Sequence, residues 1–165
     1  MQATAFSPHD HTRCISTAIN HAQGLCADRG ARLTPVRQRV LELVWHSHQP
    51  IGAYELLASL AKEGFNSAPP TVYRALEFLS EQGLLHKLES INAYVGCCNP
   101  DTPHQGHFLL CKVCNQAQEL DSQHITLALK LSAEQHGFEL QSHTIEMVGT
   151  CQGCLDKSKV VEPKQ

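Results

Sequence analysis

Apolar side chains recur every three to four positions through the first half of the chain, the spacing of amphipathic helices. Glycine or proline separates four such stretches and supplies their starts and stops. Thr34 and Pro35 form an N-cap and a first-turn proline for the second stretch, and Pro69 opens the fourth. The pattern predicts four helices, with apolar faces within 15–26, 36–44, 53–63 and 72–79.

The period changes from helical to strand-like after Gly83. Residues 84–89 and 92–97 read as two short strands, joined by a tight turn at Ser90 and Ile91. Helices followed by such a hairpin are typical of a winged helix, in which a helix-turn-helix carries a β wing. We therefore predict that the first half is a winged helix.

The second half begins with a segment rich in proline, asparagine and glycine, as expected of a linker. Beyond it the pattern predicts strands at 107–111 and 117–121, a helix over about 123–136 and a long strand over 138–150. The predicted fold class is α+β, a winged-helix DNA-binding domain followed by a small α/β domain. The predicted divisions are a winged helix with its N-terminal helix at 1–97, a linker at 98–106, an α/β domain at 107–155 and a flexible tail at 156–165.

Overall charge argues weakly against nucleic acid as a partner, because 13 Lys and Arg face 16 Asp and Glu, a net charge of −3. The charges are unevenly distributed, however. Residues 29–91 carry +1, with four arginines between 29 and 39, whereas residues 92–165 carry −3. The first half can therefore meet a phosphate backbone although the whole chain is acidic.

Neither a membrane-length apolar segment nor a signal peptide is recognisable, so we expect a cytoplasmic protein without a membrane partner. Disulfides are rare in that compartment, and paired cysteines there are more often metal ligands or redox groups. The eight cysteines of the chain need such an explanation.

Four cysteines form two CxxC pairs, Cys111 with Cys114 and Cys151 with Cys154. Each tight turn can aim two sulfurs at one ion, and two turns complete a tetrahedron, so the pattern favours a structural zinc. The 36 intervening residues contain the predicted strand, helix and strand, which can return the chain to its start. Two disulfides or a redox pair are the alternatives.

A second group of candidate ligands lies where the wing meets the linker. Cys97 and Cys98 end the predicted wing, whereas Cys14 and Cys26 fall on or near an apolar helix face and are expected only to pack. Such a group at a joint between domains favours a second metal site. The candidate ligands near the two cysteines in sequence are His86, His104, His107 and Glu119.

Four segments together resemble the ferric uptake regulator family, and most closely its zinc uptake regulator branch. In chain order they are RLTPVRQRVLELV, APPTVYRALEFLSEQGLLHKLES, HFLLCKVC and HTIEMVGTCQGC, within a similarity that extends over about residues 14–155. The resemblance implies a homodimeric, metal-dependent transcriptional repressor of zinc-uptake genes that binds double-stranded operator DNA. It also implies that the small α/β domain, 107–155, is the dimerisation domain. It implies no enzymatic activity and hence no catalytic residue.

The resemblance also implies two zinc ions per monomer. It assigns the two CxxC pairs to the structural ion and His86, Cys97, His104 and Glu119 to a regulatory ion. One thiolate, two imidazoles and a carboxylate suit Zn²⁺, whereas iron- and manganese-sensing relatives favour nitrogen and oxygen. Further metal binding is left open for Cys98, His107, His124 and His143.

DNA contacts are predicted at the start of the fourth helix, where a recognition helix reaches bases. Arg74 can pair bidentately with a guanine edge, and Tyr73 precedes it. The resemblance adds Tyr54 near the bases and the region of Arg32 and Arg37 near phosphate. The predicted set is Thr71, Tyr73, Arg74, Tyr54, Arg32 and Arg37.

Three alternatives differ from this interpretation. The nearest is a regulator of the same fold that senses iron, manganese or peroxide. A zinc-dependent enzyme such as a nucleobase deaminase needs the H-x-E…P-C-x-x-C signature, which the chain lacks. A zinc-ribbon interaction module would leave the helix around Thr71 and its two opening prolines unexplained.

Overall fold

The structure, a computed structural model, describes residues 5–6, 11–65 and 68–160, apart from the side chains of residues 11, 159 and 160. The described part divides into a helical first unit that ends in a hairpin and a second unit built on a three-stranded sheet. No helix in these ranges has the length and apolar character needed to cross a membrane. The elements are α1 (His11–Asp28), α2 (Pro35–Trp45), α3 (Ala53–Lys62), α4 (Pro69–Glu81), β1 (Leu85–Leu88), β2 (Ala93–Gly96), β3 (His107–Cys111), β4 (Ala117–Glu119), α5 (Gln123–Gln135), β5 (Ile145–Gly149) and α6 (Gln152–Val160).

The four predicted helices and the hairpin are present in the first unit. The Thr34 hydroxyl accepts a hydrogen bond from the Arg37 N–H at 3.5 Å and caps α2, which begins at Pro35. Gly83 follows α4 with φ +70°, a left-handed conformation that glycine adopts without strain. The backbone of Ile51, between α2 and α3, forms an isolated β-bridge with Tyr94 of β2 and so connects this segment to the hairpin.

The core of the first unit lies between α1, α2, α3 and α4. The helices supply the predicted apolar faces, and β1 and β2 close the core through Leu85 and Tyr94. Burial of one such side chain stabilises the fold by roughly 1.5–3 kcal/mol relative to leaving it exposed. The innermost residues include Ala22, Val40, Leu41, Leu56, Leu60, Val72, Leu76 and Leu79.

The second unit is a sheet in the order β4-β3-β5. β3 pairs antiparallel with β4 and parallel with β5, and α5 lies in the connection between β4 and β5. The predicted strand over 138–150 is wrong in length, since only 145–149 is a strand. The reason is that β3 offers five residues for pairing, His107–Cys111, and the segment before β5 has no partner strand in the described chain.

A helix follows the second CxxC turn. The Cys151 carbonyl accepts the N–H groups of Cys154 and Leu155, and thereby starts α6. Residues 156–160 belong to this helix, and 161–165 lie outside the described residues. The flexibility expected of 156–165 stays a prediction.

The two units share a small core under the wing. Leu88 of β1 packs with Phe108 of β3 and Ala117 of β4, all three buried. Two hydrogen bonds lie beside this core: the Ala117 N–H donates to the His48 carbonyl at 2.8 Å, and the Gln49 amide donates to the Cys114 carbonyl at 2.9 Å. The wing therefore rests directly on the second unit.

Candidate metal centres and DNA interface

The two CxxC turns bring their four sulfurs together at one end of the sheet. Cys111 ends β3, and Cys151 lies between β5 and α6, so the parallel pairing of β3 with β5 sets the two turns side by side. The ligand atoms of Cys111, Cys114, Cys151 and Cys154 all lie within 4.8 Å of one another. We call this group the four-cysteine cluster.

The four-cysteine cluster fits a tetrahedral zinc ion. Two of its sulfurs, on Cys114 and Cys151, are 3.9 Å apart, close to the edge of about 3.8 Å expected for a tetrahedron with Zn–S bonds of about 2.3 Å. The Cys151 N–H points to the Cys111 sulfur at 3.3 Å. Hydrogen bonds from the backbone at Cys114 and Cys151 lower the pKa of Cys111 to about 6, which favours its thiolate.

A second cluster lies between the wing, the linker and the sheet, and we call it the hinge cluster. It comprises His86 of β1, Cys97 just after β2, His104 of the linker segment and Glu119 at the end of β4. One ligand atom from each residue lies within 4.8 Å of those of the other three. The structure thus brings together all four residues predicted for the regulatory ion.

Glu119 is the centre of the hinge cluster. Its side chain is 6 % exposed, and its Oε1 is 2.9 Å from the His86 Nε2 and 2.6 Å from the His104 Nε2. Burial alone would raise the pKa of this carboxyl, but the neighbouring His86, the Cys98 N–H and His104 lower it to about 2. Glu119 is therefore ionised throughout the neutral range.

The two imidazoles are oriented as metal ligands. The His104 Nδ1 lies 2.9 Å from the Thr102 carbonyl, so donation there leaves the Nε2 lone pair directed into the cluster. The His86 Nε2 is buried and, among the described residues, has no well-directed hydrogen bond despite the nearby carboxylate. A cation bound between His86 and Glu119 would give this nitrogen a partner.

Cys97 completes a donor set that fits Zn²⁺. Its sulfur is 3.6 Å from the His104 Nε2, near the edge of about 3.6 Å for a tetrahedron with one sulfur and one nitrogen ligand. Burial, reinforced by the charge of Glu119, raises the pKa of Cys97 to about 12. The thiol therefore keeps its proton at neutral pH until a bound cation displaces the proton.

The remaining candidate ligands lie outside both clusters. Cys98 is exposed, and its N–H donates to the Glu119 Oε2 at 2.9 Å. His107 and His143 stack on each other with their Nε2 atoms 2.9 Å apart, whereas His124 is exposed on α5. Cys26 is buried in the first core and Cys14 is half-buried on α1.

The predicted DNA-contact residues fall into two groups. Tyr73 and Arg74 are exposed near the start of α4, beside half-buried Thr71, while Tyr54 on α3 is 75 % exposed. Arg32 is exposed before α2. Arg37 differs, because its guanidinium lies 3.5 Å from the centre of the Phe78 ring and donates to the Arg32 carbonyl at 2.6 Å.

Sequence reasoning missed the residues that support these sites. Thr102 orients His104 through its backbone carbonyl, and Gln49 contacts the first CxxC turn over 65 positions of sequence. Glu146 of β5, which contacts the wing turn, was also missed. No local signal identifies these residues, because their partners are set by the tertiary fold.

The sequence pattern of the ferric uptake regulator family matches residues 28–148, almost three quarters of the chain. The chain belongs to the ferric uptake regulator family. Members of this family are transcriptional regulators, not enzymes. The match includes α2 to α4, the hinge cluster and the first CxxC turn.

Within this family the chain is similar to zinc uptake regulators. It is 39 % identical to the zinc uptake regulation protein of Escherichia coli K12, over 89 % of this chain and 86 % of that protein. It is 32 % identical to the zinc uptake regulation protein of Mycobacterium tuberculosis, over 76 % and 95 % of the two chains.

Solved structures of the family share the fold. A zinc uptake regulator complexed with zinc and DNA superposes with a TM-score of 0.82 at 37 % identity, covering 88 % of this chain and 97 % of that one. Holo XcZur gives a TM-score of 0.78 at 40 % identity, covering 85 % and 98 %. Apo XcZur gives only 0.50 at 41 % identity, covering 86 % and 97 %.

Proposed function

We propose that this protein is a zinc-responsive transcriptional repressor. It binds operator DNA as a homodimer when zinc occupies the hinge cluster, and it represses zinc-uptake genes. The observation that carries the proposal is the hinge cluster itself, whose ligands come from the wing, the linker and the sheet of the second unit.

The hinge cluster controls the angle between the two units. His86 and Cys97 belong to the base of the wing, whereas Glu119 belongs to the sheet and His104 to the linker. Zn²⁺ would supply a shared cation for these four side chains. When the four side chains are held together, the wing is fixed against the second unit. When they are not, the linker is free to adopt other conformations. A four-coordinate set without an open position suits sensing rather than hydrolysis.

The likeness to known proteins supports zinc as the sensed ion. The relatives above are zinc uptake regulation proteins, and a similar structure holds both zinc and DNA. The described fold also superposes better on the regulator complexed with zinc and DNA and on holo XcZur than on apo XcZur, which supports a DNA-competent arrangement. The thiol of Cys97 favours zinc over iron or manganese.

DNA reading is assigned to α4. Its buried face packs on the core, while Tyr73 and Arg74 are exposed at its N-terminal end. Arg74 reads guanine and Tyr73 and Tyr54 lie near the bases, with Thr71 and Arg32 at the phosphates. Arg37, stacked on Phe78, contributes mainly by holding the start of α2.

Homodimer formation is supported by exposed apolar side chains on two elements of the second unit. Leu127 and Leu131 are one helical turn apart on α5, which has no buried residue, and both are more than half exposed. Val148 is 68 % exposed on β5, whose second edge is unpaired in the described chain. A second copy would cover these side chains.

Two zinc ions per monomer follow from the proposal, one in each cluster. The four-cysteine cluster holds the structural ion that stabilises the second unit, and the hinge cluster holds the regulatory one. Thiolate ligands require a reducing compartment, so we place the protein in the cytoplasm.

Zinc-titrated DNA binding tests the proposal. A duplex is first selected from a random pool with the zinc-loaded wild-type protein; we call it the selected duplex. Zinc should raise the affinity of the wild type for the selected duplex at least about tenfold, a coupling typical of two linked sites. Arg74→Ala should lose the preference over a scrambled duplex while keeping zinc binding. Wild-type binding that does not respond to zinc would refute the proposal.

A further inference from the structure

One carboxylate of the second unit binds the tip of the wing. Glu146 of β5 accepts the N–H of Glu89 at 2.7 Å and the N–H of Ser90 at 3.3 Å. The Ser90 hydroxyl donates to the same carboxylate. Three donors of one turn therefore converge on a residue 56 or 57 positions away, and we call this contact the Glu146 latch.

The Glu146 latch has a defined place beside the shared core. In the β3–β5 register Glu146 is the partner of Phe108, which packs on Leu88, the residue before Glu89. The apolar contact and the latch thus act on consecutive residues of the wing. A carboxylate that accepts backbone N–H groups forms charge-assisted hydrogen bonds, which are about twice as strong as neutral ones.

The latch and the hinge cluster hold opposite ends of the same hairpin. His86 and Cys97 lie at its base, where the Cys97 N–H donates to the Leu84 carbonyl. Glu89 lies three residues beyond His86, about 10 Å along a strand. The latch adds a polar contact at the tip to the apolar contact of Leu88, and both oppose rotation of the hairpin about its base.

We propose that Glu146 is a positioning residue of the zinc response, which latches the wing tip to the sheet and favours the same closed arrangement as zinc. The inference rests on the proposed function, since it treats the hinge cluster as the regulatory site. Two contacts that close one joint assist each other, so the latch raises the zinc affinity of ligands that it does not touch.

The test measures zinc affinity on the protein alone, by competition with a chelating indicator dye. Glu146→Gln should lower the affinity of the weaker, removable zinc about tenfold, as expected for the loss of charge-assisted hydrogen bonds. Both zinc ions should still bind at saturation, and the mass of the dimer should not change. A merely structural role would lower thermal stability without moving this affinity.

Two further variants sharpen the test. Glu139→Gln removes an exposed carboxylate of the same unit and should bind zinc like the wild type. Ser90→Ala removes one donor from an exposed turn, and its effect should not add to that of Glu146→Gln, because the two groups share one interaction.

Each outcome distinguishes the latch from the proposed function. Wild-type zinc affinity in both Glu146→Gln and Ser90→Ala would overturn the latch, and Ser90→Ala alone decides if Glu146→Gln does not fold. The zinc-affinity assay contains no DNA, so it reports on the latch independently of DNA binding. If zinc does not change the affinity of the wild type for the selected duplex, the proposed regulator function is refuted, but the effect of Glu146→Gln on zinc affinity still tests the latch.

Discussion

The two ligand clusters differ in which parts of the fold they join. The four-cysteine cluster lies within the second unit, where parallel pairing of β3 with β5 already sets the CxxC turns side by side. The hinge cluster draws its ligands from the wing, the linker and the sheet. A metal in the first stabilises one unit, whereas a metal in the second changes how two units meet, and only the second can act as a switch.

The two clusters also differ in the chemistry of their ligand atoms. Four thiolates give a closed site with high zinc affinity, suited to a permanent structural ion. In the hinge cluster a buried carboxylate, two imidazoles and a thiol with a raised pKa would hold a cation in competition with protons. Such a site can empty and refill as the zinc concentration changes.

The largest expected effect is the loss of the four-cysteine cluster. Cys111→Ser should unfold the second unit, because a structural zinc of this kind contributes on the order of 10 kcal/mol to folding. Circular dichroism, zinc analysis and the mass in solution should report lost structure, lost zinc and a monomer. Cys14→Ser, a change on α1, is the control and should leave all three unchanged. A folded, zinc-free Cys111→Ser dimer would remove the distinction between the clusters.

A smaller effect is expected where the wing approaches α2. A Cβ on Gly96 would overlap the ring of Trp45, so Gly96→Ala must shift β2 and with it the neighbouring Cys97. We expect a loss of about 1–3 kcal/mol in the free energy of unfolding and weaker binding of the hinge zinc only. Gly24→Ala, with open space around its Cβ, is the matched control. Weaker binding of both zinc ions would show that the clusters are not independent.

The smallest expected effect is the release of a proton when zinc binds to the hinge cluster. Because burial raises the pKa of Cys97 to about 12, its thiol is protonated at neutral pH and must release one proton when a metal binds. The affinity of the hinge zinc should therefore rise with pH, about tenfold per unit from this group alone. Titration calorimetry in buffers of different ionisation enthalpy measures the release.

Cys98 provides the control for this measurement of proton release. Cys98 is the next residue in the chain after Cys97, yet its sulfur lies outside the hinge cluster. Cys98→Ser should leave the proton release unchanged. A loss of the released proton in Cys98→Ser would identify Cys98, not Cys97, as the ligand.

Sequence reasoning predicted the local features of both clusters. The CxxC turns, the cap at Thr34 and the apolar faces of α1 to α4 depend on neighbours within a few positions, which the chain displays directly. The α+β class and the family followed from these features. Membership of the hinge cluster came from the family resemblance, because its ligands are spread over 34 positions, from His86 to Glu119.

The rest depended on contacts that the chain does not display. The residues before β5 have a strand-like composition, but a strand also needs a partner, and β3 is only five residues long. Glu146 resembles any strand carboxylate until the fold brings Ser90 to it. α6 begins with hydrogen bonds to the Cys151 carbonyl, within a segment of low apolar content.

The central claim is that the hinge cluster, and not the four-cysteine cluster, links zinc to DNA. Native mass spectrometry of the wild type and Cys97→Ser, paired with binding of the selected duplex, tests it most directly. We expect two zinc ions per wild-type chain and one per Cys97→Ser chain. Cys97→Ser should remain a dimer, and its affinity for the selected duplex in the presence of zinc should be about 10–100-fold lower than that of the wild type. Zinc-dependent binding by Cys97→Ser equal to that of the wild type would contradict it.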